Sequence, residues 1–367
     1  MFSARALMGR RTTLDGVTPP QIRVLIVDDS ITTRTILARI VETTPHFRVA
    51  AAVKSAEEAL HLLAASPAEV IMLDLEMPGM GGLSAIPRIR ALAPQSRILV
   101  VSSNAIEGAE QTLAALALGA TDTFPKPLSG NFDAGYREAL AEKLRMLGTA
   151  ECEAARPLPV EAPAGTRRPR TDAFPQRVEA LAIGASTGGI HALCRFFNAL
   201  APQINAPIFI TQHLPDNFMA IFARQVAEAA QRTVKIAAEG MTVGPDQILI
   251  APGDAHLTID CANRRFRARL DRTPRANCCL PSVDPMFASL AAGLGAGVVG
   301  VVLSGMGRDG SEGAARIAAA GGKIYAQDAA TSAVWGMPRA VVESGLATDC
   351  LPPADLAERI NAQVAGR

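Results

Sequence analysis

Apolar residues in this chain come in short unbroken runs that each end in a polar or charged residue. Val24–Val27 runs into Asp28-Asp29, Val70–Leu73 into Asp74, and Ile98–Val101 into Ser102-Ser103. A run of consecutive apolar residues has no face left for water, so these runs predict strands buried on both sides of a parallel sheet. Between them the period changes. Ile36, Ile40 and Val41 share one helical face, Glu57–Ala65 ends before Pro67, and Ala109–Leu118 stops at Gly119. Val49–Val53 supplies a second strand, and a short fifth strand leads to Lys126-Pro127. Strands alternating with helices predict a doubly wound, parallel α/β domain over residues 21–128.

Residues 129–175 break this alternation. Glu138–Leu147 carries a helical stripe of Leu140, Leu144 and Leu147, but Pro157, Pro159, Pro163, Pro169 and Pro175 follow. That density of proline predicts an extended, poorly packed linker, and the basic run Arg167-Arg168-Pro169-Arg170 reads as part of its solvated surface. Alternation returns over residues 176–367. Strands are expected at Leu181–Ile183, Pro207–Thr211, Val234–Ala237, Ile248–Ala251, Val298–Leu303 and Lys323–Ala326, with a hairpin near His256–Leu270. This is a second α/β domain.

Composition narrows the class. A chain of 367 residues that is 49% hydrophobic can bury two cores, and a formal net charge of +1 gives no global electrostatic case for nucleic acid. The six cysteines contain no C-x-x-C pair, and Cys278-Cys279 are adjacent, which fits neither a disulfide framework nor a zinc site. A reducing, cytoplasmic location is expected. No apolar run reaches the roughly 18 residues that a bilayer requires. Met1–Pro20 lacks the apolar core of a secretory signal and is expected to be a disordered tail or an over-extended start.

The first domain's chemistry should lie beyond the carboxyl ends of its strands, where ligands bind in such sheets. Asp28, Asp29, Asp74, Ser102 and Lys126 all fall there. An aspartate after a strand is often only a helix cap or turn former. Three converging carboxylates, however, repel one another unless a cation joins them, and an all-oxygen set suits Mg²⁺. These residues resemble the receiver domain of two-component response regulators, through Asp28-Asp29, Leu73–Pro78, Val101–Ser103 and Lys126-Pro127. The resemblance implies a flavodoxin-like fold, phosphoryl acceptance by Asp74, and Mg²⁺ held by Asp28, Asp29 and Asp74. It implies that Ser102 and Lys126 hold the phosphoryl oxygens, and that a histidine kinase is the donor. Gly81 and Thr123 depart from the family, which usually has an acidic and an aromatic residue there.

In the second domain the run Leu181–Ile190 ends in Gly184-Ala185-Ser186-Thr187-Gly188. This fits a G-x-S-x-G nucleophile elbow, in which glycines let a strand turn sharply into a helix and the serine project. It equally fits a glycine-rich phosphate loop. A serine nucleophile needs a base and a carboxylate to orient the base. His213 follows the run ending at Gln212, and Asp309 lies in Ser304–Gly310, just after Val298–Leu303. Three strand ends thus offer Ser186, His213 and Asp309 to one crevice. A lone histidine after a strand is commonly just a hydrogen-bonded structural residue, and Gly305–Gly310 could be a plain turn. The order Ser, His, acid excludes an ordinary lipase-type assignment. His256 is a second candidate base, ranked below His213.

With Ile183–Gly189, Thr211–Pro215, Ile250–Asp254, Pro281–Asp284, Ser304–Gly310 and Gly336–Arg339, the second half resembles the catalytic domain of the chemotaxis protein-glutamate methylesterase/glutaminase (CheB) family. The order receiver, linker, esterase matches as well. The resemblance implies a Rossmann-like catalytic domain with Ser186 as nucleophile, His213 as base and Asp309 as its orienting acid. It also implies an oxyanion site at the Met306 backbone N–H, helped by Thr187. The substrates would be methylated glutamates and glutamines of methyl-accepting chemotaxis receptors, attacked without a metal, and the unphosphorylated receiver would cover the active site. Met241 and Leu280 depart from the family pattern at positions bearing on substrate fit. Two other readings compete. A nucleotide-binding output domain finds no acidic ribose partner between Ser186 and Asn205, and a DNA-binding one finds no basic recognition helix after residue 178.

Overall fold

The computed structural model describes residues 21–102, 106–126, 132–154, 177–202, 204–262, 265–275 and 279–365. The expected N-terminal tail, Ser103, the proline-rich segment with its basic run, and Cys278 lie outside them.

The first half runs β1 (Ile22–Val27), α1 (Ile31–Thr43), β2 (Phe47–Val53), α2 (Ala56–Ala65), β3 (Val70–Asp74), α3 (Gly81–Leu92), β4 (Arg97–Ser102), α4 (Ile106–Ala117), β5 (Asp122–Pro125) and α5 (Ala134–Ala154). Its parallel sheet has the order β2-β1-β3-β4-β5. The apolar runs of β1, β3 and β4 are buried because helices cover both faces. The strand order reverses direction between β1 and β3, so a crevice opens at their carboxyl ends, with Asp28 just past β1 and Asp74 closing β3. Ser30 and Ser55 start α1 and α2 by accepting the N–H groups of Thr33 and Glu58. Helix α5 falls in the stretch read as linker, yet its Leu140, Leu144 and Leu147 are buried in one cluster with Val24, Ile26 and Leu37. It covers a face of the first sheet.

The second half runs β6 (Ala180–Ala185), α6 (Gly189–Ala199), β7 (Ile208–Gln212), α7 (Asp216–Ala230), β8 (Thr233–Ile236), β9 (Thr242–Val243), β10 (Gln247–Ile250), β11 (His256–Asp260) and β12 (Phe266–Asp271). It continues with α8 (Val283–Leu294), β13 (Val298–Val302), α9 (Ser311–Ala319), β14 (Lys323–Gln327), α10 (Met337–Glu343), β15 (Asp349–Leu351) and α11 (Pro353–Ala365). Seven parallel strands have the order β15-β14-β13-β6-β7-β10-β8, and the expected hairpin is the β11–β12 pair of a small antiparallel sheet completed by β9. Both domains therefore have the α/β class expected. Strands β13, β6 and β7 are neighbours at the centre of the large sheet, and their carboxyl ends carry the loops with Asp309, Ser186 and His213.

Candidate active site

The turn from β6 into α6 fixes Ser186. Gly188 caps α6 with φ of +76°, and a Cβ there would lie 2.4 Å from the Ala333 Cβ, so only glycine fits. The Ser186 N–H donates to the Ser304 carbonyl at 3.0 Å, which ties the elbow to the end of β13. Gly305 then passes so close that a Cβ on it would sit 2.9 Å from the Ser186 Cβ. His213 leaves β7 with its N–H on the Ala185 carbonyl.

These anchors bring the three side chains together. His213 Nδ1 lies 3.1 Å from Ser186 Oγ, and His213 Nε2 lies 2.7 Å from Asp309 Oδ2. An ionised carboxylate only accepts, so Nε2 carries the proton and the Nδ1 lone pair faces the serine hydroxyl. Asp309 is 4% exposed, and its carboxylate is unusually well supplied with donors. Oδ1 accepts Ser282 Oγ–H at 2.7 Å and Gly310 N–H at 3.0 Å, while Oδ2 accepts Val283 N–H at 2.7 Å besides His213. Burial alone pushes this carboxyl's pKa up, but His213, Val283 and Ser282 outweigh it and hold it at about 2. The neighbouring Asp284 lacks that supply. Burial and the charge of Asp309 push it up to about 6, against the N–H groups of Gly313, which it accepts at 2.7 Å, and Gly310. Asp284 thus takes the first proton and Asp309 stays ionised.

Met306 sits 41% exposed at the rim, and among the described residues no protein acceptor takes its N–H. Thr187 is different: its hydroxyl donates to Asp122 Oδ2 at 2.9 Å, and Asp122 belongs to the first domain. Lys143 of α5 approaches the same oxygen at 2.8 Å. The Gly188 N–H donates to the Thr121 carbonyl at 2.9 Å, His191 Nδ1–H meets the Ala117 carbonyl at 2.8 Å, and Arg224 pairs with Glu110. Helix α4 packs on α6 and α7. Ser186 and His213 therefore open into a cleft of about 730 Å³ whose opposite wall, including Asp122 and Phe124, comes from the first domain. Neither Asp122 nor Ser282 was singled out in the sequence for a role. An aspartate heading a short strand and a serine before a helix carry no distinctive signal.

The first domain's crevice gathers the other expected residues. Ligand oxygens of Asp28, Asp29 and Asp74 lie within 4.8 Å of one another. Lys126 Nζ stands 2.7 Å from Asp74 Oδ2 and 3.0 Å from Asp28 Oδ2. The latter contact lacks hydrogen-bond direction, leaving Asp28 Oδ2 a buried acceptor without a directed donor. Burial and, more weakly, Asp28 push Asp74 up despite Lys126; the two carboxylates together more than offset burial at Lys126 and raise its pKa. A crowded, oxygen-only set with an unsatisfied buried oxygen fits a hard divalent cation. Ser102 turns elsewhere, sharing a 2.8 Å hydrogen bond with Thr112 of α4.

His213, Cys279 and Asp309 also present ligand atoms within 4.8 Å of one another. The lone pairs of Asp309 are already taken by Ser282, Gly310, Val283 and His213, so this group is poorly disposed to a metal.

Comparison with known proteins agrees with both halves. Residues 181–360 match the CheB methylesterase family and residues 24–131 the response regulator receiver domain. The chain is 42% identical to protein-glutamate methylesterase/protein-glutamine glutaminase 2 of Caulobacter vibrioides over 335 residues, covering 90% of this chain and 95% of that protein. It is 37% identical to the protein-glutamate methylesterase/protein-glutamine glutaminase of Azospirillum brasilense over 354 residues, covering 90% of each. The crystal structure of the Thermotoga maritima CheB methylesterase catalytic domain is 35% identical, with a TM-score of 0.48, and the match covers 50% of this chain and 96% of that one. The chain belongs to the CheB family of receiver-linked protein-glutamate methylesterases/protein-glutamine glutaminases that act in chemotaxis.

Proposed function

We propose that Ser186, His213 and Asp309 carry out the family's ester and amide hydrolysis as a nucleophile, base and orienting acid. The continuous contact from Ser186 Oγ through the His213 ring to Asp309, at 3.1 and 2.7 Å, is the observation that supports this reading. Ser186 attacks the γ-carbonyl of a methylated glutamate on a chemoreceptor while its proton passes to His213 Nδ1. The buried carboxylate of Asp309 stabilises the imidazolium, and the free Met306 N–H faces the developing oxyanion. Collapse expels methanol, which takes the proton from His213, and water then hydrolyses the glutamyl-enzyme ester. A glutamine follows the same route and releases ammonia. Methanol release from methylated receptor membranes tests the assignment: Ser186→Ala should abolish it, and an unchanged rate would end the triad reading.

In the receiver, Asp74 is proposed as the phosphoryl acceptor, with a chemotaxis-type histidine kinase as donor. Asp28, Asp29 and Asp74 would hold Mg²⁺, which when bound supplies charge neutralisation to the phosphoryl oxygens. Lys126 contacts the acceptor carboxylate already. Ser102 would exchange Thr112 for a phosphoryl oxygen, releasing one tie on α4, the helix that packs against the catalytic domain. The receiver then acts as a cover whose grip weakens on phosphorylation. Of the working units 21–128, 129–175 and 176–367, the receiver is best extended through at least Leu147, because α5 buries its leucines there. No described helix is long and apolar enough to cross a membrane, and we place the enzyme in the cytoplasm beside its receptors.

A further inference from the structure

Behind the triad lies a second imidazole. His256 opens β11 and is fully buried. Its Nε2 lies 3.0 Å from the Thr273 carbonyl, and its Nδ1 lies 2.9 Å from the Ser282 nitrogen. A carbonyl only accepts and a backbone N–H only donates, so Nε2 must carry the proton and Nδ1 must accept.

Ser282 is the N-cap of α8, where a serine ordinarily turns its hydroxyl back onto an N–H of the first helical turn. It makes no such cap bond. Its hydroxyl donates 2.7 Å to Asp309 Oδ1 instead, and Asp309 itself accepts the Val283 N–H at 2.7 Å. Carboxylate and serine have exchanged duties: Asp309 caps α8 from outside, and the freed hydroxyl holds Asp309.

We propose that His256 and Ser282 are positioning residues for the hydrolysis, acting in series. His256 fixes the backbone of Ser282, Ser282 fixes the rotation of the Asp309 carboxylate, and Asp309 fixes the tautomer and aim of His213. The proposal rests on the triad reading above. Without the Ser282 hydroxyl, Oδ1 keeps Gly310 N–H at 3.0 Å and a long contact from Asp284 N–H at 3.4 Å. A carboxylate torsion is broad and soft, so the acceptor facing His213 Nε2 drifts. That acceptor matters most when the imidazolium forms in the transition state, so its loss falls on kcat and spares KM.

The test uses the full-length chain treated with a small phosphodonor, with methanol release measured from membranes carrying methylated chemoreceptor. Ser282→Ala should lower kcat by about 10- to 100-fold at unchanged KM, the size of one charge-assisted hydrogen bond. Ser282→Thr should restore most of the rate. His256→Asn, whose side-chain oxygen can accept the Ser282 N–H, should stay well above His256→Leu. The double variant Ser282→Ala/His256→Leu should be no slower than the worse single variant, because both break one chain of contacts. Ser282→Ala within twofold of the parent, a loss confined to KM, or fully multiplicative losses would each overturn the proposal. If His256→Leu does not fold, the Ser282 pair decides alone. Ser186→Ala is measured alongside: an unchanged rate there defeats the triad, whereas inactivity there with a full-rate Ser282→Ala defeats only the positioning series.

Discussion

Asp74 closes a central parallel strand of one domain and Asp309 lies just beyond a central parallel strand of the other, and they are 3% and 4% exposed. Equal burial leaves them chemically unlike. Asp74 accepts from Lys126 and, at 3.3 Å, from the Glu76 N–H, and beside Asp28 its pKa is pushed up, mainly by burial. Asp309 takes at least two donors on each oxygen and is held at about 2. Burial sets how much a charge matters, and the supply of N–H and O–H groups sets whether the charge is kept. A carboxylate with all its lone pairs committed can steady an imidazole. One with lone pairs to spare can bind a cation or take a phosphoryl group.

The comparison breaks most sharply at Asp309. Asp309→Asn should lower kcat by roughly 10⁴-fold, because an amide no longer imposes the Nε2–H tautomer on His213. A loss under tenfold in receptor demethylation would mean that Asp309 only props the α8 terminus. At the domain boundary, Asp122→Ala removes the acceptor of the Thr187 hydroxyl and should raise the rate of the unphosphorylated enzyme about two- to tenfold. Chelating divalent cations should abolish the response to phosphodonor but leave that raised rate intact, which separates cation chemistry in one domain from release of the other. An unchanged basal rate would remove Asp122 from the regulatory contact.

The smallest effect concerns stability. The raised pKa of Asp284, about 6 against 3.8, means that the folded protein binds its proton more tightly than the unfolded chain. That contribution is complete below 3.8 and is lost as pH rises to about 6. Asp284→Asn should flatten this decline and gain on the order of 1 kcal/mol at neutral pH, discounted because the group is partly exposed. Asp309 works with opposite sign in a lower window: its contribution is present above 3.8 and lost as pH falls to about 2. Urea midpoints from pH 4 to 7 would show the first window, and a slope unaffected by Asp284→Asn would refute it.

Much of the fold was legible because β1, β3, β4, β6, β7, β10 and β13 are apolar on both faces, which leaves the pattern unambiguous. The stripe of Leu140, Leu144 and Leu147 was legible too, but a stripe announces a buried face without naming what buries it, so α5 read as linker. β15 and β9 are too short to show a period. At the site, Ser186 and Asp309 stood out because glycines crowd around them, and His213 because it ends an apolar run. Ser282 did not, because a serine before a helix reads as a cap. Asp122 did not, because its partner Thr187 is 65 residues away in another domain.

One strand separates the two chemistries. Asp122 heads β5 and Lys126 follows its end, four residues on, or roughly 13 Å at the usual rise per residue. An even separation puts both side chains on the same side of the ribbon. β5 therefore serves as a ruler with a fixed parity. Deleting a single residue between them would turn one of the two away from its partner, Thr187 in one case and Asp74 in the other.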